Sequence, residues 1–357
     1  FLHLLPPRSV PDMDRLLGEL AGLDGLSDIW ITEGEAPRFK RNGEFTTLDH
    51  IGPQPAELVN DWVKLVLQGE SWHHNMDAAH SVETPQGVYR YRVCIYRQSG
   101  IARVCLRLVN TVIPHHRALL LPDSVVKSMV TARDGLAFFV GTTGSGKSTS
   151  IASTLTERAN ARPGHIITLE DPIEYRFRGA ASFFSQRQKG ADFEDFPDAL
   201  KFALRQAPND VMIGEIRDAE TAEIALHSAE TGHFVVSTLH TKRAPEAINR
   251  FKLLFPAGQQ PQICVLLAGL LRFVVCQRLI RNIEGRRMAL YEVMHVSNES
   301  GIKPLIRVGK IENINLSSSG VKENFTFEKH LDEVFERKQI TKKLYDELRE
   351  ELALETS

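Results

Sequence analysis

The chain has 357 residues, 42% of them hydrophobic and 25% charged, with a formal net charge of −2. That is a globular composition with material for two cores, and the near-zero charge excludes a whole-molecule electrostatic case for nucleic acid or an acidic membrane surface. Cys94, Cys105, Cys264 and Cys276 form no C-x-x-C pair, so neither a zinc ribbon nor a redox dithiol is signalled, and they suit a reducing compartment.

In chain order, the alternating stretch Asp28-Ile29-Trp30-Ile31-Thr32 predicts a half-buried strand, and Leu58, Trp62, Leu65 and Val66 predict one face of an amphipathic helix. Residues 89–109 read as a strand pair with arginines interleaved among aromatics, so residues 1–110 are expected to form a small α+β domain. The stretch 110–123 carries Pro114 and Pro122 around a polar Pro-His-His-Arg centre and reads as the domain boundary, with 111–122 as linker. Beyond it, strands predicted at 136–140, 166–169, 211–213 and 234–239 alternate with helical segments. This is the α/β pattern of a mostly parallel sheet wrapped by helices, expected over 123–357. The most apolar run, Ile263 to Leu271, ends at Arg272, far short of the roughly 20 residues a bilayer span needs. Phe327, Leu331, Val334 and Phe335 mark an amphipathic helix in a helical C-terminal tail. No signal peptide opens the chain, and the cytoplasm is the expected location.

The most informative segment is Gly141-Thr142-Thr143-Gly144-Ser145-Gly146-Lys147-Ser148, followed by Thr149. It fits G-x-x-x-x-G-K-[ST] at every fixed position, with a predicted buried strand before it and a helix after it. Glycines at 141, 144 and 146 let several N–H groups converge on one anion at a helix N-terminus. Lys147 then reaches the β/γ-phosphates and the Ser148 hydroxyl ligates Mg²⁺, so the chain is expected to bind a nucleoside triphosphate.

Acidic partners are expected where later strands end. Glu170, Asp171 and Glu174 lie just past one predicted strand and form a plausible metal-facing cluster; a solvated acidic turn is the bland alternative. Another apolar strand, 211–213, runs through Gly214 into Glu215, where a carboxylate orients and deprotonates water. His233 and His240 flank the strand 234–239; each reads equally as a structural hydrogen-bonder or as a γ-phosphate sensor.

Taken together, the P-loop, Leu169-Glu170-Asp171-Pro172-Ile173-Glu174, the stretch Gly214-Glu215-Ile216-Arg217-Asp218-Ala219-Glu220-Thr221, and Ala229-Glu230-Thr231-Gly232-His233 with Ser237-Thr238-Leu239-His240-Thr241 resemble the Walker A, Asp box, Walker B and His box of the secretion-superfamily ATPases. Within that superfamily the chain is most similar to the PilT-like type IV pilus retraction motors. The resemblance extends through Ser27-Asp28-Ile29, Asn42-Gly43-Glu44, Arg90-Tyr91-Arg92-Val93 and Phe255-Pro256-Ala257-Gly258-Gln259-Gln260. It implies a PAS-like N-terminal domain before a RecA-like ATPase domain, a homohexameric ring, ATP and Mg²⁺, and a pilus platform protein of the bacterial inner membrane, at whose cytoplasmic face the motor works; no nucleic acid is expected. It makes Glu215 the catalytic glutamate and Glu170, Asp171 and Glu174 the acids that hold Mg²⁺ and its water. Lys147, Glu170, His233 and His240 would act beside Glu215, and Arg92, Arg97 and Arg107 fall where the family supplies arginines to the γ-phosphate.

The pattern also departs from the family. No four-cysteine zinc module is present, which favours the retraction branch over pilus assembly and type II secretion ATPases. The retraction signature Ala-Ile-Arg-Asn-Leu-Ile-Arg-Glu reads Gly301-Ile302-Lys303-Pro304-Leu305-Ile306-Arg307-Val308 here, and Ala207-Pro208-Asn209-Asp210 replaces the usual Asp-Pro-Asp. An accessory pilus motor and a DotB-like type IVB or conjugative secretion ATPase therefore stand as alternatives. A self-contained small-molecule kinase is the reading from another class.

Overall fold

The structure is a computed structural model and describes residues 4–69, 75–109, 112–178, 181–298, 301–316, 321 and 323–356. Asn110 and Thr111, where the expected first domain meets its linker, lie outside the described residues. The chain forms two compact units, residues 1–112 with 174–176, and residues 113–173 with 177–357.

The first unit is an antiparallel sheet of β1 (Leu26–Thr32), β2 (Arg38–Arg41), β3 (Glu44–Thr47), β4 (Met76–Thr84), β5 (Gly87–Gln98) and β6 (Ile101–Val109), in the order β3-β2-β1-β6-β5-β4. Side chains of a strand alternate between faces. Tyr91, Val93, Ile95, Val104 and Leu106 therefore join the core, where they meet Met13, Leu17 and Leu20 from helix Val10–Ala21 and Val59, Trp62 and Val63 from helix Ala56–Val66. Ser9 starts the first helix by accepting a hydrogen bond from the Asp12 N–H, which satisfies one donor that a helix end leaves open. The second helix buries Leu58, Val59, Trp62, Val63 and Val66, whereas Leu65 is 49% exposed. The expected stripe is thus rotated toward the two valines, and Leu65 falls outside it.

The second unit carries a seven-stranded sheet of β7 (Gly135–Val140), β8 (Gly164–Glu170), β9 (Ser182–Gln188), β10 (Asp210–Ile213), β11 (Phe234–Leu239), β12 (Leu271–Arg281) and β13 (Arg287–His295), in the order β13-β12-β7-β11-β10-β8-β9. All neighbours are parallel except β12 and β13. The four expected strands are its centre, and the α/β expectation is borne out. Each central strand is buried on both faces, as a parallel sheet wrapped by helices requires. In β7, Leu136, Phe138 and Val140 face one core and Ala137 and Phe139 the other.

Arg158 ties this layer structure together. It sits near the end of helix Lys147–Ala161, 2% exposed, and grips Asp210 at the start of β10 by a two-pronged pair, Nε to Oδ2 at 2.7 Å and Nη2 to Oδ1 at 2.5 Å. Nη1 donates to the Met129 and Ala132 carbonyls, and the guanidinium lies 4.6 Å from the centre of the Phe234 ring. Removing one partner of such a buried pair leaves the other charge uncompensated and costs about 3–5 kcal/mol. The helix that leaves the glycine-rich loop is thereby fixed to the strand that leads to Glu215.

Candidate functional site

β7, with all six residues buried, feeds the chain into the loop at Gly141. Gly141 has φ 146°, and a Cβ there would stand 2.3 Å from the Gln277 carbonyl oxygen, so only glycine fits against β12. Gly146, with φ 90°, starts helix Lys147–Ala161 and brings no side chain to cap it, so nothing competes with an anion for the helix's leading N–H donors. Lys147 is buried, and its Nζ donates to the Gly141 and Thr142 carbonyls at 2.9 and 3.0 Å, which holds the ammonium over the loop. From β12, Gln277 Nε2 donates to the Ser145 carbonyl at 2.6 Å and braces the loop from outside. The Ser145 hydroxyl is buried without a hydrogen-bond partner. An uncapped helix start, a buried ammonium and an orphaned hydroxyl around one glycine-rich turn fit phosphate oxygens.

The other groups share the sheet edge on which this loop sits. β7, β11, β10 and β8 are neighbours in that order and run parallel, so their carboxyl ends present in sequence the P-loop, His240, Glu215 and Glu170. Ligands of open α/β sheets bind at this edge. Gly214 brings β10 and β8 close: its N–H donates to the Leu169 carbonyl at 2.7 Å, and a Cβ on it would meet that oxygen at 3.2 Å. Thr238 of β11 donates to the Gly214 carbonyl at 2.6 Å, so the segment carrying Glu215 is held from both sides.

Glu215 lies between an arginine and a histidine, with Oε2 2.7 Å from Arg217 Nη2 and Oε1 3.2 Å from His240 Nε2. Burial by itself raises the pKa of its carboxyl, but the Arg217 hydrogen bond and the charges of His240 and Arg217 outweigh this and hold it below the ordinary carboxylate value. Glu215 is therefore ionised at neutral pH, an acceptor suited to hold and orient water. Glu170 is buried at the end of β8, where its Oε1 accepts from Thr168 Oγ1 at 2.6 Å and Gln186 Nε2 at 3.1 Å. Asp171 is exposed, 3.9 Å from Lys189 Nζ, and its charge raises the pKa of Arg217 after the larger effects of Glu215. Ser148 stands in the first turn of the P-loop helix, where a hydroxyl beside the phosphates suits a hard cation.

One expected member, His233, stands at the other end of the sheet, and four others, Glu174 and the three arginines, belong to the first unit. His233 precedes β11 whereas His240 follows it, so the two histidines lie at opposite ends of one strand. The His233 carbonyl pairs with Gly135 at the entry of β7, and its ring Nδ1 lies 3.1 Å from the Ser228 carbonyl, which ties the preceding helix to the strand. Glu174 clusters with the first unit. So do the arginines: Arg92 on β5 is directly opposite Arg107 on β6, and both project from the sheet face opposite the core. Arg97 has the other strand parity and closes the hairpin by donating to the Gly100 carbonyl at 2.9 Å. Among the groups that the sequence reading did not single out, Gln277, Arg158 and Arg217 have structural partners but no spacing signal of their own.

Residues 86–356 match the Type II/IV secretion system protein family. The chain is 34% identical over 322 residues to the type IV pilus ATPase PilU of Pseudomonas aeruginosa, covering 89% of this chain and 83% of the relative. It is 32% identical over 303 residues to the type IV pilus retraction ATPase PilT of the same organism, covering 84% of this chain and 86% of PilT. The crystal structure of the pilus retraction motor PilT with bound ADP superposes with a TM-score of 0.83 at 33% identity, covering 96% of this chain and 97% of that one.

Proposed function

The chain belongs to the Type II/IV secretion system protein family and is a nucleotide-binding ATPase, and we propose that it drives type IV pilus retraction of the twitching type. The observation that carries this reading is the single sheet edge shared by the P-loop, His240, Glu215 and Glu170, in a chain that matches a solved retraction motor over nearly its whole length. The N–H groups of 141–149 and Lys147 hold the β- and γ-phosphates. Ser148 would hold Mg²⁺, with Glu170, Asp171 and Glu174 as the acids expected to help hold it. When bound, Mg²⁺ neutralises charge on the β- and γ-oxygens. Glu215 orients the attacking water and accepts its proton, and because Arg217 restrains the same carboxylate, that arginine turns aside before Glu215 acts as base. His240, bonded to Glu215, is placed to register the γ-phosphate, while His233 is left a structural role.

The working division keeps an N-terminal domain at 1–110, a linker at 111–122 and an ATPase domain at 123–357. The motor is a homohexamer acting on a platform protein at the cytoplasmic face of the inner membrane. No helix among the described residues is long and apolar enough to cross a membrane. The altered retraction signature is compatible with this role. Gly301 starts helix Ile302–Arg307, in which Ile302 and Ile306 are buried. Pro304 falls within the first turn, where a missing N–H costs little, and Lys303 keeps the positive charge of the arginine it replaces.

Deletion of the gene in its own bacterium is the test. More surface pili with twitching lost, restored by the parental chain and not by a Lys147→Ala chain, is the expected result. Fewer pili, or normal pili with a secretion defect, would assign the motor to assembly or to secretion.

A further inference from the structure

The polar centre of the segment entering the second unit is not used by the nucleotide site, yet it is built. His115 and His116 converge on one oxygen of Glu157: His115 Nε2 lies 3.3 Å and His116 Nδ1 3.1 Å from Oε1. The three candidate ligand atoms all lie within 4.8 Å of one another, and the two rings are 4.1 Å apart at their centres. Glu157 belongs to helix Lys147–Ala161, whose other end is the P-loop. His116 is only 8% exposed, and the Leu119 and Leu121 N–H groups both donate to its carbonyl at 3.1 Å, so a local turn fixes its backbone.

We propose that His115, His116 and Glu157 form a binding site for a zinc-class transition-metal cation, separate from the Mg²⁺ that accompanies nucleotide. Two imidazoles and a carboxylate are ligands that zinc takes, with bonds of about 2.0–2.2 Å, and tetrahedral geometry then sets ligand atoms roughly 3.3–3.6 Å apart. The N···O separations of 3.1 and 3.3 Å are within a few tenths of an ångström of that spacing. Water completes the fourth position on the side where His115 is exposed. Mg²⁺ is a poor match, because it prefers six oxygen ligands.

Coordination through Nε2 places the His115 ring proton on Nδ1. The 3.3 Å hydrogen bond that Nδ1 accepts from the Arg117 N–H is then given up, and solvent takes its place on an exposed ring. The bound ion fastens the segment entering the second unit to the P-loop helix at one fixed point.

The test uses the full-length chain without nucleotide or Mg²⁺, titrated with Zn²⁺ against a chromophoric chelator, with Co²⁺ absorption reporting coordination geometry. One equivalent of Zn²⁺ with a tetrahedral-type Co²⁺ spectrum is expected. His115→Ala, at an exposed position that should not disturb folding, and Glu157→Gln, which keeps the side-chain size, should each weaken that equivalent by more than about tenfold. Both variants should melt at the parental temperature without metal, and Zn²⁺ should raise the melting temperature of the parental chain alone. No tight equivalent in the parental chain overturns the proposal. So does an equivalent that either variant retains at parental affinity.

Discussion

Alanine in place of Arg92 or Arg107 is expected to lower ATP turnover by about 10³-fold or more while ADP affinity stays near parental. An arginine that meets the γ-phosphate stabilises charge developing in phosphoryl transfer, a contribution of about 10³–10⁵ in rate, and ADP lacks that group. These two arginines are singled out by register: they stand directly opposite one another on β5 and β6 and point away from the core. Like charges directly opposite across strands are destabilising, so their pairing breaks a local rule at the position where a functional demand would explain it. Each leans on a carboxylate, Arg107 Nε on Asp28 at 2.8 Å and Arg92 on Asp77 at 3.5 Å. The exposed Arg92–Asp77 pair contributes little, about 0–1 kcal/mol, so Arg92→Ala should leave folding intact, whereas Asp28 is buried and Arg107→Ala should also lower the stability of the first unit. Arg97 closes its own hairpin, and Arg97→Ala should turn over ATP near the parental rate. Lysine should restore Arg92→Ala or Arg107→Ala only partly, because an ammonium lacks the planar fork. Steady-state ATP turnover beside ADP titration checks this; parental turnover in both alanine variants would show that the first unit supplies no charge to the reaction.

Glu215→Gln is expected to keep ATP binding and to lower hydrolysis by about 10²–10⁴-fold. The amide keeps the size of the side chain but accepts no proton, and it loses the charge that Arg217 and His240 engage. Because those two groups hold the Glu215 pKa below its ordinary value, the parental pH–rate profile should show no acid limb from this residue within the usual carboxylate range or above it. Removing the hydrogen bond and charge of Arg217 by Arg217→Ala should raise the Glu215 pKa and move that limb upward in pH. Single-turnover kinetics separate the steps: loss of binding with rate per bound ATP retained would make Glu215 a structural or metal residue and shift the role of base to Glu170.

What was legible in the sequence was what is coded locally. The P-loop, the acids after two strands and the strands that deliver them each occupy a few consecutive residues, and the fold rule that aligns strand ends at one edge did the rest. Strands β12 and β13 were not legible. Helix Gln260–Leu270 passes directly into β12 at Leu271, and Gly269 near that junction lies inside an unbroken apolar run, so the run reads as one element. Gln277 became visible only once β12 lay beside the loop, and the Arg158–Asp210 pair joins residues with no pattern between them. For the histidines, the predicted strand 234–239 already set His233 and His240 at its opposite ends, and the parallel pairing of β11 with β7 and β10 then puts His240 on the edge that carries the P-loop. Among the arginines, strand parity divided Arg97 from Arg92 and Arg107 once the register was known.

ATP turnover by the purified full-length chain, compared with its Lys147→Ala variant under identical conditions, tests the central claim most directly. Lys147 is the cation that the loop holds over the expected phosphate position, so the variant should fold and assemble as the parental chain does, yet lose both nucleotide binding and hydrolysis. Near-parental turnover in a folded Lys147→Ala variant would contradict the account, because the hydrolytic site would then lie elsewhere.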